Sequence, residues 1–391
     1  MPLPGVKIKL GNGALGRSSA SADGVAGLIL TGKAVEGKLE LNKHYQLSST
    51  RDLQTLGIDA ETNPLAEKEI KAFYAQSGDG AELHLLIVAE ATTLAAMCDP
   101  AADSPLCKLI DAGGGRIRLA GVNKLPPAEY EADTTEGIDK DAITAAAKAQ
   151  QTAESYASKI RPFRILLPAP AWTGETENLY KPSEGSYNRV GMILASDAPI
   201  GNVYTAAVGM ILGRAAALEP QQCIGRVKSG VLADSGYFTN GSTYLEKSGL
   251  ADTLHDAGYI FFMNITAKNG CYLNGDPMAA PVTDDYSSLN LGRIIDKATV
   301  LAYTTYITEI MDNIAIDDKG QLAIGACKNY ESMIQNAVNS QMGSQISSFS
   351  AYVNPDQNIL SDGKLTIDCT LRPLGIIRNI VVNLAFDNPA V

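Results

Sequence analysis

The chain has 391 residues, so at roughly 150 residues per domain it holds two or three domains with cores of their own. With 45% hydrophobic and 19% charged residues its composition is globular, which excludes a mostly disordered chain. Lys plus Arg total 32 against 43 Asp plus Glu, a net charge of −11 that argues against phosphate-backbone binding and hence against a nucleic-acid partner.

Met1 to Leu10 lacks a basic region followed by an apolar one, so no secretory signal is expected. Val6, Ile8 and Leu10 alternate with Lys7 and Lys9, the pattern of a short amphipathic strand. Gly11-Asn-Gly13-Ala-Leu-Gly16 then has the form of a dinucleotide fingerprint. That fingerprint works only where a helix starts at the loop and points its amides at a pyrophosphate. Arg17 to Gly24 has no helical period, so the preferred reading is a Gly/Ser/Ala-rich connector, with a nucleotide-binding α/β enzyme using Gly11–Gly16 as the alternative. A lone strand on such a tether has to pair with something.

Val25 to Thr31 reads as a strand. Gly27 to Ala34 imitates a P-loop, but Ala34 stands where a hydroxyl would hold magnesium. A strand near Lys38 to Leu41, a capped helix from Ser49 to Leu56 and a helix from Pro64 to Ser77 follow. Ala81 to Ala89 is a near-continuous apolar strand that makes His84 a satisfied core histidine. Strand, helix and strand in that order predict a crossover unit in an α/β sheet.

Ala91 to Asp111 reads as helical in parts, Arg116 to Ala120 as a strand, and Leu125 to Gly137 as a loop. Asp141 to Ile160 is a helix with a small-residue face, Phe163 to Leu167 a buried strand, and Pro168 to Gly185 a loop carrying Trp172. Val208 to Leu218 is a helix in which Gly209 and Gly213 mark tight packing; the apolar stretch is too short for the ~20 residues that cross a bilayer, so no membrane partner is expected. Tyr259 to Ile265 is a strand, Asn269-Gly and Asn274-Gly are turns, and Leu291 to Met311 and Tyr330 to Met342 are striped helices.

Residue constellations that carry chemistry are missing. There is no GxSxG, HExxH or EF-hand loop, and His44, His84 and His255 are far apart in sequence. Asp284-Asp285 and Asp317-Asp318 read as turn acids, and six scattered cysteines as small buried hydrophobes. No catalytic, cofactor-binding or metal residue is assigned, no cofactor is expected, and the chain reads as a non-enzyme.

At the other end, Leu365, Ile367, Cys369 and Leu371 alternate with polar residues up to Pro373, predicting a half-buried strand. Ile380, Val382, Leu384 and Phe386 form a second alternating run, with apolar residues on both faces. Together with Val6, Ile8 and Leu10, these are the candidate assembly residues: such strands either complete their own sheet or supply an edge to a neighbouring copy.

The ordered features resemble the contractile tail sheath family of phage tails, R-type bacteriocins and type VI-like injection systems. Gly24-Val-Ala-Gly-Leu-Ile-Leu-Thr-Gly32 is similar to the family's opening strand, and Tyr45 to Gly57 to its next strand and aspartate-containing helix. Phe73 to Gly78 running into Ala81 to Val88, Tyr259 to Ile265, Asp285 to Leu289 before the long helix, and Gly363 to Phe386 continue the likeness. Pro126 to Tyr259 departs from the pattern, and Cys271 to Pro281 replaces the usual tryptophan- and arginine-rich stretch, so the likeness is to a divergent prophage-type member.

The resemblance implies a mixed α/β (α+β), multi-domain architecture with mixed sheets flanked by helices and extended terminal strand arms. Its expected parts are an arm and connector (1–23), an N-terminal α/β domain (24–125), a middle domain (126–258) and a C-terminal domain with a strand arm (259–391). It implies a structural subunit that joins copies of itself into hexameric rings stacked helically around an inner tail tube, with baseplate and terminator proteins at the ends. Energy would be stored at assembly for contraction. The chain would assemble in the bacterial host cytoplasm and reside in a virion tail or injection particle. A non-contractile assembly or attachment module is the remaining alternative.

Overall fold

The computed structural model describes residues 22–318 and 320–387. Val6, Ile8, Leu10 and the Gly11–Gly16 loop lie outside the described residues. The chain divides into two compact units, Met1–Thr304 and Thr305–Val391.

The first unit is built on strands β1 (Ala26–Gly32), β2 (His44–Leu47), β3 (Leu83–Ala89), β4 (Leu119–Asn123), β5 (Arg164–Pro168) and β6 (Val190–Ile193). A short antiparallel pair, β7 (Ala195–Ser196) with β8 (Tyr237–Phe238), precedes β9 (Tyr259–Ile260). The main sheet has seven strands in the order β2-β3-β1-β4-β5-β6-β9. All neighbours are parallel except β2, which runs antiparallel to β3 at the edge. The sequence boundaries at 125/126 and 258/259 fall within the span of this sheet. β10 (Phe262–Asn264) and β11 (Cys271–Leu273) form a separate hairpin, so the strand expected over 259–265 breaks at Phe261, where the chain leaves the sheet.

Burial on both faces explains the near-continuous apolar strands. Ile29, Leu86, Val88, Ile165 and Leu167 face one core, while Leu28, Leu30, Leu85, Ile87 and Leu166 face the other. Helices α1 (Asp52–Leu56) and α2 (Pro64–Ser77) cover the second face; α3 (Leu94–Met97), α4 (Pro105–Ala112) and α5 (Lys140–Ser158) cover the first. α6 (Val208–Ala217) packs with α2, and α7 (Ala251–Asp256) leads into β9. The P-loop-like segment is β1, hydrogen-bonded into the sheet on both sides. The strand expected over 38–41 is replaced by a single bridge, Val35 to Leu39, and the strand itself forms later as β2. The strand placed at 116–120 sits three residues further on, as β4.

Gly209 and Gly213 are the contact between α6 and α2. A Cβ would lie 2.2 Å from the Glu69 carbonyl oxygen at Gly209 and 2.3 Å from that of Phe73 at Gly213. Backbone cannot yield at such distances, so only glycine lets these helices approach this closely.

Burial here perturbs two sets of ionisable groups. The Glu69 carboxyl accepts a hydrogen bond from the Gly209 amide, and burial pushes its pKa up to about 8 despite Lys68 nearby. His44 Nε2 and His84 Nδ1 are 2.7 Å apart, and His84 Nε2 is 2.7 Å from Glu82 Oε1. Burial lowers the pKa of both histidines; the neighbouring ring also lowers that of His44, while Glu82 partly opposes the shift at His84.

The two sets give stability limbs of opposite sign. An acid with a raised folded pKa stabilises below its unfolded value and loses that stability as pH rises through the folded one. A histidine with a depressed folded pKa destabilises as pH falls below the ordinary 6.5. Glu69→Gln is therefore expected to flatten the decline of the melting temperature on the alkaline side, recovering about 2 kcal/mol between pH 6.5 and pH 8; because the Glu69 slope begins at its ordinary 4.5, its removal also leaves the opposing histidine limb steeper below pH 6.5. Calorimetric scans of both proteins across that range check it; parallel curves would mean that Glu69 is ionised throughout.

α8 (Leu289–Tyr306) is tied to the sheet by charge. Arg164, 1% exposed at the start of β5, donates from Nε and Nη2 to Asp296 at 2.7 and 3.1 Å, and to the Gly292 and Asn188 carbonyls. Arg189 Nη1 reaches the same carboxylate at 3.1 and 3.2 Å. One turn along, Arg293 donates to the Asp23 and Leu218 carbonyls, and Lys297 pairs with Asp23 at 2.6 Å. Asp23 is thus fixed against α8.

Candidate assembly surfaces

The second unit contains a turn of helix at Ile307–Glu309, the helix α9 (Ile324–Met342), strand β12 (Ile346–Tyr352), the short α10 (Ile359–Asp362) and strand β13 (Asp368–Pro373). The helical stripe expected to reach Met311 stops at Tyr306, leaving Ile310 and Met311 64% and 98% exposed. α9 begins six residues before the expected Tyr330 and buries Cys327, Glu331, Ile334, Val338 and Met342.

β12 and β13 form a two-stranded antiparallel ribbon with Phe349 opposite Leu371 and Ala351 opposite Cys369. A ribbon of this size is marginal alone. Here β12 packs on α9, and Glu331 accepts the Val353 amide at 3.1 Å while pairing with Lys328 at 2.6 Å. Those two bonds, the Lys328 contact first, hold the Glu331 carboxyl below its ordinary pKa. Gln357 clamps the return of the chain, donating to the Thr366 carbonyl and accepting its amide.

Among the described residues, each strand of the ribbon has one ladder neighbour, so both outer edges present unused amides and carbonyls. β13 pairs with β12, and the alternating run at Ile380, Val382, Leu384 and Phe386 is not a strand: residues 374–387 form neither strand nor helix. Ile380, Val382 and Leu384 are 74%, 69% and 91% exposed, and Phe386 is fully exposed. Leu374, Ile376, Ile377 and Val381 are exposed as well. The sequence has strand character there, but a strand without a neighbour leaves its backbone unpaired and cannot form by itself. Four of the six cysteines are buried as expected; Cys223 is half-buried and Cys369, on β13, is exposed.

β12 carries no unbroken period of two, because a bulge between Ile346 and Ser348 shifts the inward row from Ile346 to Phe349 and Ala351; the alternation is confined to 348–352.

Elsewhere, among the described residues, no group of three His, Cys, Asp or Glu side chains is placed to hold a metal ion, and no helix is long and apolar enough to cross a membrane.

A mixed sheet with helices on both faces, followed by a small ribbon-bearing unit that trails an apolar segment, is the fold of contractile-sheath subunits. The structure matches a chain of the anti-feeding prophage baseplate, determined by cryo-EM with six-fold symmetry, over 99% of each chain with a TM-score of 0.64 and 15% identity. It also matches the anti-feeding prophage helical sheath in its contracted state, over 99% of this chain and 100% of that one, at a TM-score of 0.62 and 15% identity. The sheath tail protein of Desulfitobacterium hafniense matches over 95% and 100%, at 0.54 and 11%. At these identities the likeness is one of fold. The chain itself belongs to the DUF2586 family, whose N-terminal domain matches residues 3–276 and whose C-terminal domain matches residues 285–391. No curated protein matches its sequence.

Proposed function

We propose that this chain is the structural, self-assembling subunit of a contractile sheath. Copies join by strand addition: the apolar run at Ile380, Val382, Leu384 and Phe386 supplies a strand to the open ribbon of a neighbouring copy, and Val6, Ile8 and Leu10 supply another from the arm over 1–23. Repeated head-to-tail, such contacts generate hexameric rings stacked into a helical tube around an inner tube, with baseplate and terminator proteins at its ends. Work is stored at assembly as a lattice held behind a barrier, and contraction rearranges interfaces while the arms keep subunits linked. Assembly takes place in the bacterial cytoplasm, and the product is part of a virion tail or injection particle.

The observation that carries this reading is the exposed apolar segment 374–387, with no strand partner within its own chain among the described residues. Soluble monomers rarely expose so continuous an apolar surface. The purified full chain is expected to pellet on ultracentrifugation as polymer; a chain that sediments as a monomer at high concentration contradicts the proposal.

A further inference from the structure

Between β1 and β4 the strand order reverses, because β1 is flanked by β3 on one side and β4 on the other. In open α/β sheets the ligand crevice lies outside the carboxyl ends of the strands at such a point. One strand over from that point the unit has a cleft of about 270 Å³, at the ends of β4 and β5 and beside the residues that lead into α6. Its walls include Pro126, Tyr130, Val203 and Tyr204, and its polar groups include Lys124 and Asp139.

Lys124 is the unfinished group. It is 7% exposed; its Nζ lies 3.6 Å from Asp141 Oδ2, beyond hydrogen-bond reach, and 3.7 Å from the centre of the Tyr130 ring. Among the described residues its ammonium makes no hydrogen bond, although it carries three donors. The nearby carboxylates are supplied. Asp139 accepts from the Tyr130 hydroxyl at 2.6 Å and the Asp141 amide at 3.1 Å. Asp141 accepts the Leu94 and Ala95 amides at 2.7 and 3.0 Å. Among the described residues no acceptor lies within hydrogen-bond distance of the Lys124 ammonium.

Charge narrows the choice. The lining itself is neutral, Lys124 against Asp139, and Asp141 lies 3.6 Å from the ammonium outside the lining, so the charge around Lys124 is already offset and an anionic ligand is disfavoured. A neutral carbonyl among proline and tyrosine walls meets both conditions.

We propose that this cleft binds a neutral, amide-bearing, peptide-like ligand whose carbonyl oxygen accepts from the Lys124 ammonium while its apolar body packs against Pro126, Tyr130 and Tyr204. The lining residues all belong to the first unit, and the ligand is either a free small molecule or a short segment of a polypeptide. N-acetylproline methylamide is a suitable probe, titrated against the full chain by ligand-detected NMR.

Saturable binding is expected, weakened at least tenfold by Lys124→Met and weaker for the charged N-acetylproline. Val203→Trp, at an exposed position on the rim, is expected to block entry without disturbing the core. Comparing the free probe with the same unit inside a longer peptide separates the two sources, since tighter binding of the peptide points to a polypeptide segment. No saturable binding by the unmodified chain overturns the proposal, as does equal binding by the Val203→Trp chain. The latter comparison holds even if Lys124→Met fails to fold.

Discussion

Removal of residues 379–391 is expected to abolish polymer formation and to leave the melting temperature of the protomer unchanged within about 1 °C. The reason lies in where the apolar side chains are. Ile380, Val382, Leu384 and Phe386 are exposed in the single chain, so deleting them removes no core contact. Buried, each contributes roughly 1.5–3 kcal/mol, so four on one face supply roughly 6–12 kcal/mol per joint before the cost of ordering the segment. No polymer contact of that size survives its loss. Replacing the four by serine keeps the backbone able to pair but empties the side-chain face, and is expected to cut the pelletable fraction at least tenfold. Ultracentrifugation and thermal melting of the same samples check both halves. A truncated chain that melts much lower would show that the segment belongs to its own core, where each lost side chain costs about 2–5 kcal/mol.

Asp296→Ala is expected to destabilise the first unit by about 3–5 kcal/mol, lowering its melting temperature by on the order of 10 °C. Asp296 pairs with two guanidinium groups at once, and Arg164 is almost wholly buried. Burial depresses the pKa of Arg164 even with the carboxylate present, a sign of how costly its charge is in that place. Without Asp296, Arg164 keeps the carbonyls of Gly292 and Asn188 but loses its counter-charge. Asp296→Asn retains an acceptor oxygen and should fall between the two. Urea unfolding of the three proteins measures the series, and a loss below about 1 kcal/mol for alanine would mean that water reaches the arginines.

Much of the first unit was legible because its strands and helices carry uninterrupted periods. The helix over Pro64–Ser77 and the buried strands near 26–32 and 83–89 follow from apolar spacing alone. Gly209 and Gly213 were readable as a tight helix contact because two glycines one turn apart have few other structural uses. β6 carries no local signal: Val190-Gly-Met-Ile193 is too short to show any period, and only its neighbours β5 and β9 make it a strand.

Conversely, the run from Ile380 to Phe386 has a strand's pattern and no strand, since pairing is a property of two segments and the sequence displays one. The charged tie of Arg164 to Asp296 spans 132 residues and leaves no local trace. The same holds for Lys124, whose significance comes from a cleft assembled by β4, β5 and the approach to α6.

The most direct test is cryo-electron microscopy of the polymer formed by the full chain, with the segment after Pro373 traced from one subunit to the next. The account requires a hollow, striated tube in which this stretch lies as an added strand along the β12–β13 ribbon of an adjacent subunit. Tubes held together by other surfaces, with the stretch packed on its own protomer, would contradict it.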